Sequence, residues 1–142
     1  MKTGGFLKRN SRMKKFRKVE GENKEVLQVG EADALFSKQI RHRDKQCVNC
    51  GSTMFLGCSH YFSRGTYATR YDPENCVTFC QSCHEKMELE KNGEYKKFMA
   101  MRLGSIRFNA LIYRAMNKVS PYYAISEFQK RCETLEGNDI EY

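Results

Sequence analysis

The sequence predicts an α+β fold: a small zinc-stapled core of two short strands and a helix, with flanking helices and a basic, disordered N-terminal arm. Three observations predict it. Two CxxC pairs, Cys47/Cys50 and Cys80/Cys83, are separated by 29 intervening residues. Short β-prone stretches, Tyr61-Phe62 and Val77-Thr78-Phe79, lie between them, and a helix-favouring run opens at the second pair. A dense block of cations precedes everything else.

That block comes first along the chain. Residues 1–18 carry eight lysines and arginines and no acid, so the other 17 basic residues balance all 17 acidic ones. The whole net charge of +8 therefore belongs to this arm. Such a segment repels itself and is expected to seek a polyanion, with Lys8, Arg9, Arg12, Lys14, Lys15, Arg17 and Lys18 neutralising DNA phosphates in a salt-sensitive, sequence-blind manner. The bland alternative is a solubilising tail. Residues 19–31 read as a Gly-punctuated linker, which closes a first region at residue 31.

Residues 32–44 place Leu35, Phe36 and Ile40 near helical spacing, with basic residues toward the C-terminal end where they suit the helix dipole. Residues 47–57 form a metal knuckle with a tight Gly turn. A strand at Tyr61-Phe62, a loop over 64–74 and a strand at Val77-Thr78-Phe79 follow. From Glu85 to Arg102 the residues favour helix, weakened at Asn92-Gly93 and interrupted at Gly104, which ends a central domain of residues 32–104. Residues 105–142 are a helical extension: Ile106, Ala110, Leu111 and Met116 mark one helix that Pro121 stops, and 126–136 form the last, with Ser126 as its cap.

Length and composition narrow the class. A chain of 142 residues holds about one domain. No run approaches the roughly 20 apolar residues of a spanning helix, and no signal-peptide core follows Met1, so the expectation is a cytoplasmic protein with no membrane partner. In a reducing cytosol, paired CxxC units point to metal rather than disulfides. Four thiolates from Cys47, Cys50, Cys80 and Cys83 make a closed tetrahedral set suited to Zn²⁺. With no position left for water, that site is structural. Cys58, Cys76 and Cys132 have no such spacing and read as small packed hydrophobes.

Between and beside the cysteine pairs stand Arg43-Asp44, His60, Asn75 and His84. The order Arg-Asp, CxxC, His, Asn, CxxC-His resembles the HNH (His-Me finger) endonucleases, with their ββα-metal core. Residues 32–98, above all HYFSR and ATRYDPEN, resemble more narrowly the NinG (Rap) recombination endonucleases of lambdoid phages. The resemblance implies a DNA endonuclease acting on branched recombination intermediates, in the host-cell cytoplasm if phage-encoded, with recombination proteins as partners. A homodimer is expected if it cuts symmetric junctions.

Phosphodiester hydrolysis needs a base for water, and His60, with an ordinary imidazole pKa near neutrality, fits that role. It also needs a hard cation, Mg²⁺ or Mn²⁺, on the scissile phosphate. The resemblance makes His84 its ligand and gives Asn75 the task of bracing the loop that bears the base. Arg64 and Arg70 flank the loop and are expected to grip phosphate through bidentate hydrogen bonds. One departure stands out: Ser59 occupies the position where HNH enzymes commonly carry a metal-ligating Asp. Asp72 is the nearest substitute carboxylate, and its competing reading is a turn cap before Pro73. His84 has a competing place in a Cys₃His zinc shell, and His60 as a packed strand histidine. The rival functions are a non-catalytic zinc DNA-binding module and a nuclease cutting linear duplex.

Overall fold

The computed structural model describes residues 26–89 and 93–136. The seven arm cations from Lys8 to Lys18 named above, and the linker up to residue 25, lie outside the described residues. Among the described residues the fold is α+β, with helices α1 (Val29–Asp44), α2 (Gln81–Leu89), α3 (Glu94–Ala115) and α4 (Pro121–Glu136) around one antiparallel pair, β1 (Leu56–His60) and β2 (Cys76–Cys80).

The hairpin is a wall between two apolar clusters. Successive strand residues face opposite sides. Val77 and Phe79 of β2 join Met87 of α2 and Tyr95, Met99, Leu103, Phe108 and Leu111 of α3. On the other side Cys76 joins Ala32, Phe36 and Ile40 of α1, Tyr71, and Ile125 and Phe128 of α4. All five residues of β2 are buried. The register sets Leu56 opposite Cys80, Cys58 opposite Thr78 and His60 opposite Cys76.

Asp44 and its neighbour Arg43 lock α1 to this wall. Arg43 donates to the Asp44 carboxylate and to the carbonyls of Pro73 and Cys76, at 2.8 to 3.0 Å. Asp44 in turn accepts from the Thr78 backbone N–H and from Arg102. The Arg-Asp dipeptide thus joins α1, β2, the 73–75 turn and α3. Burial works to raise the Asp44 carboxyl, but the Arg43 and Thr78 donors outweigh it and hold it below the usual range.

Several expected boundaries are corrected. Helix α1 starts at Val29, inside the expected linker, because Gln28 and Glu31 close a reciprocal capping box. Its buried stripe is Ala32, Phe36 and Ile40, while Leu35 is left 37% exposed. The first strand is LGCSH, ahead of the expected Tyr61-Phe62; the Tyr61 ring instead packs against Tyr95, Phe108 and the ring of Phe62. The expected interruption at Gly104 holds: at φ 77°, ψ 164° it is non-helical and kinks α3 into two helical segments. Beyond it Phe108 and Leu111 are buried, whereas Ile106 and Met116 are 85% and 75% exposed. Pro121 opens α4 rather than only stopping a helix: Ser120 caps it by accepting from Tyr123 N–H, and Ser126 lies inside it.

Candidate functional site

The Leu56/Cys80 end of the hairpin carries the cysteine tetrad. Cys47 to Gly51 form a knuckle closed by the Gly51 N–H to Cys47 O bond of 2.9 Å, with Gly51 at φ 79° where a side chain is disfavoured. Val48 N–H to Thr78 O ties the knuckle to β2. Cys80 ends that strand and Cys83 lies in the first turn of α2. The Sγ atoms of Cys47, Cys50, Cys80 and Cys83 all lie within 4.8 Å of one another. Donation from the Ser82 hydroxyl and the Cys83 backbone N–H pulls the Cys80 thiol down, while at Cys83 the lowering effect of the Asn49 amide is outweighed by burial and the crowded neighbouring thiols, which push it up. Asn49 Nδ2 donates to Cys83 Sγ at 3.3 Å, an outer-shell bond of the kind that orients a metal ligand. The donor set and its compactness fit a structural zinc ion. His84 lies outside this tetrad.

The opposite end, at His60/Cys76, opens into a cleft of about 590 Å³ lined by Asp33, Cys58, His60, Arg64, His84 and Glu88, among others. His60 ends β1, half-buried against Phe36. Its Nε2 lies 2.9 Å from the Arg70 carbonyl oxygen. A carbonyl only accepts, so Nε2 carries the proton in the neutral ring and Nδ1 is left bare. Burial, reinforced by the charges of Arg64 and Arg70, pushes the imidazole below its usual value, against the opposing effect of that carbonyl.

Asn75 is fully buried and holds the intervening loop by its amide. Its Oδ1 accepts from Phe62 N–H at 2.8 Å, and its Nδ2 donates to Phe62 O and Thr69 O at 3.0 Å each. With Tyr61 N–H to Asn75 O, these bonds span both sides of the loop that returns Arg70 to His60.

Two expected ligands of substrate or metal are corrected. Arg70 is not at the mouth of the cleft with free donors. It is buried, donates to both carboxylate oxygens of Asp33 at 2.9 and 2.6 Å, and gives a third bond to Arg64 O. Burial by itself raises the Asp33 carboxyl, but Arg70 and the Tyr71 hydroxyl prevail and hold it low. Arg70 is therefore an internal tie between the loop and α1. Asp72 is the turn cap: its Oδ1 accepts from Glu74 N–H and its Oδ2 pairs with Arg114 at 2.8 Å, and it does not line the cleft. Ser59 is also withdrawn, buried in a 2.7 Å bond with the Tyr95 hydroxyl.

Arg64 is exposed on the cleft wall. His84, on the first turns of α2, contacts Glu88 through Nε2 at 2.8 Å. Sequence reasoning does not single out Glu88, although its i,i+4 spacing from His84 is a usable signal. Cys58 and Cys76 are not the isolated packed thiols that their spacing suggests. The register brings both beside His60, with one donor atom from each of the three within 4.8 Å of the others. No protein-family model, curated protein or solved structure matches the chain. Among the described residues, no helix is long and apolar enough to cross a membrane.

Proposed function

We propose that the chain is a metal-dependent endonuclease of the HNH type that hydrolyses DNA phosphodiester bonds, with His60 as general base. The observation that carries this reading is the single hydrogen bond from His60 Nε2 to the Arg70 carbonyl. It fixes the tautomer and leaves Nδ1 able to take a proton from water, while burial and the charges of Arg64 and Arg70 outweigh that bond's pull toward the protonated form and lower the ring's pKa. Asn75 positions the base by holding the loop that carries the Arg70 carbonyl. Arg64 is the phosphate contact on the cleft wall.

The pair His84 and Glu88 offers an imidazole and an exposed carboxylate to the same cleft. This sparse set suits Mg²⁺ or Mn²⁺, since Mg²⁺ commonly takes one or two carboxylates together with substrate phosphate and waters. The cation supplies charge neutralisation at the scissile phosphate and the leaving 3′ oxygen. Branched DNA is the preferred substrate on the strength of the sequence likeness, and the N-terminal cations add phosphate contacts that position without specifying bases. Met101, Ile106, Tyr113 and Met116 of α3 and its end are strongly exposed, which suits a homodimer on a symmetric junction.

The test is cleavage of labelled linear duplex, flap and four-way junction DNA in Mg²⁺, Mn²⁺ or chelator. Cation-dependent cutting that ranks branched above linear DNA is expected. Cutting of linear duplex alone removes the branch preference. Tight binding with no cutting of any substrate replaces the enzyme by a zinc-built DNA-binding module.

A further inference from the structure

We propose that Cys58, His60 and Cys76 form a second metal site, separate from the cysteine tetrad, that takes one soft or borderline cation such as Zn²⁺ or Cd²⁺. Cys58 and His60 are two apart on β1 and so share a face, and the register sets Cys76 directly opposite His60 on that face. The result is two Sγ atoms and an imidazole nitrogen within 4.8 Å of one another, the same compactness as the tetrad. Two thiolates and an imidazole match the Cys₂His sets that hold zinc with one position open.

Two further observations favour a ligand there. The Nε2–H of His60 is already bound to a backbone carbonyl at 2.9 Å. Metal-bound histidines typically anchor their second ring nitrogen in this way, leaving the other bare for the cation. The surroundings are also graded: Cys76 is 1% exposed and does not line the cleft, while Cys58 and His60 do. A cation would therefore be held from below and keep its fourth position toward the cleft. Binding requires loss of both thiol protons, so affinity rises with pH.

Occupancy engages Nδ1 of His60, and this consequence rests on the proposed nuclease reading; the binding itself does not. The site would make a soft cation an inhibitor of an enzyme that a hard cation activates. A hard cation prefers oxygen donors and is not a competitor for these thiolates.

The experiment is titration of the reduced, metal-free full chain with Cd²⁺, following thiolate charge-transfer absorbance, beside Cys58→Ser, His60→Ala and Cys132→Ser. The expected result is two equivalents in wild type and Cys132→Ser, and one in Cys58→Ser. His60→Ala should weaken the second equivalent by at least about tenfold. The equivalent retained in Cys58→Ser reports an intact tetrad and hence a folded chain. A single equivalent in wild type, or a second that survives in Cys58→Ser, overturns the site. The titration decides the matter whether or not the protein cuts DNA. If it does, Zn²⁺ added to the Mg²⁺ reaction should inhibit wild type more than Cys58→Ser.

Discussion

The two ends of one five-residue strand pair make opposite use of cysteine and histidine. At the Leu56/Cys80 end, four thiols from two knuckles converge and leave no ligand position open. At the His60/Cys76 end, roughly 13 Å away at strand spacing, one imidazole faces a cleft with a bare nitrogen and a low proton affinity. The first end is a closed set of thiols that could hold an ion and so make a frame. The second is left chemically unfinished, and the rigid strand between them transmits the order of the first to the second. A zinc ion held by the tetrad would add to the stability that the two apolar clusters supply.

Removing zinc breaks the comparison at its base and should have the largest effect. Structural zinc contributes roughly 10–16 kcal/mol in small domains, more than the total stability of most of them. Chelation, or Cys83→Ser, should therefore abolish cooperative thermal unfolding and reduce helical circular dichroism; a chelated chain that melts as before would remove the tetrad from its structural role.

Loosening the other end should cost less. Asp33→Asn leaves the Arg70 guanidinium largely buried without its carboxylate, at about 3 kcal/mol, as for other internal pairs cut on one side. Urea unfolding would measure it, and a change below about 0.5 kcal/mol would return Arg70 to the role of a surface contact. Asn75→Ala leaves the Phe62 N–H and the Phe62 and Thr69 carbonyls without their partner, for about 1–3 kcal/mol. It should also slow cleavage in the folded, zinc-replete protein, since the loop then no longer holds the Arg70 carbonyl against His60.

The smallest effect is a displacement along the pH axis. A histidine serves as a base only when neutral, and burial lowers the pKa of His60 below 6.5. Activity should thus persist as pH falls through 6.5 and decline only below it, visible as the acid limb of a pH–rate profile. An acid limb above 6.5 would mean that the titrating group is not this buried imidazole.

The tetrad is legible in the sequence because its information is local: each CxxC is a turn that needs only its own residues. The helices are legible in kind but not always in extent, since Gln28 with Glu31 and Ser120 with Pro121 are caps whose side chains decide the starting residue. The first strand is harder to see, because Leu56–His60 contains glycine and no β-branched residue and becomes a strand through pairing with β2. Site residues are misread where the partner is distant. Arg70 looks like a phosphate grip because Asp33, 37 positions earlier on α1, gives no local sign of facing it. Cys58 and Cys76 look solitary for the same reason, as strand register is a property of the hairpin and not of either strand. Asp72 follows the simpler chemistry of its own Asp-Pro turn.

The most direct measurement is cleavage of the preferred DNA by wild type and His60→Ala, each carrying one zinc equivalent at the tetrad and with matched melting curves. General-base assistance is worth about 10²–10⁴-fold, so the variant should lose at least about two orders of magnitude in rate while keeping its tetrad zinc and its DNA affinity. Cleavage at the wild-type rate by a folded His60→Ala protein would contradict the assignment of the open end of the hairpin as the catalytic one.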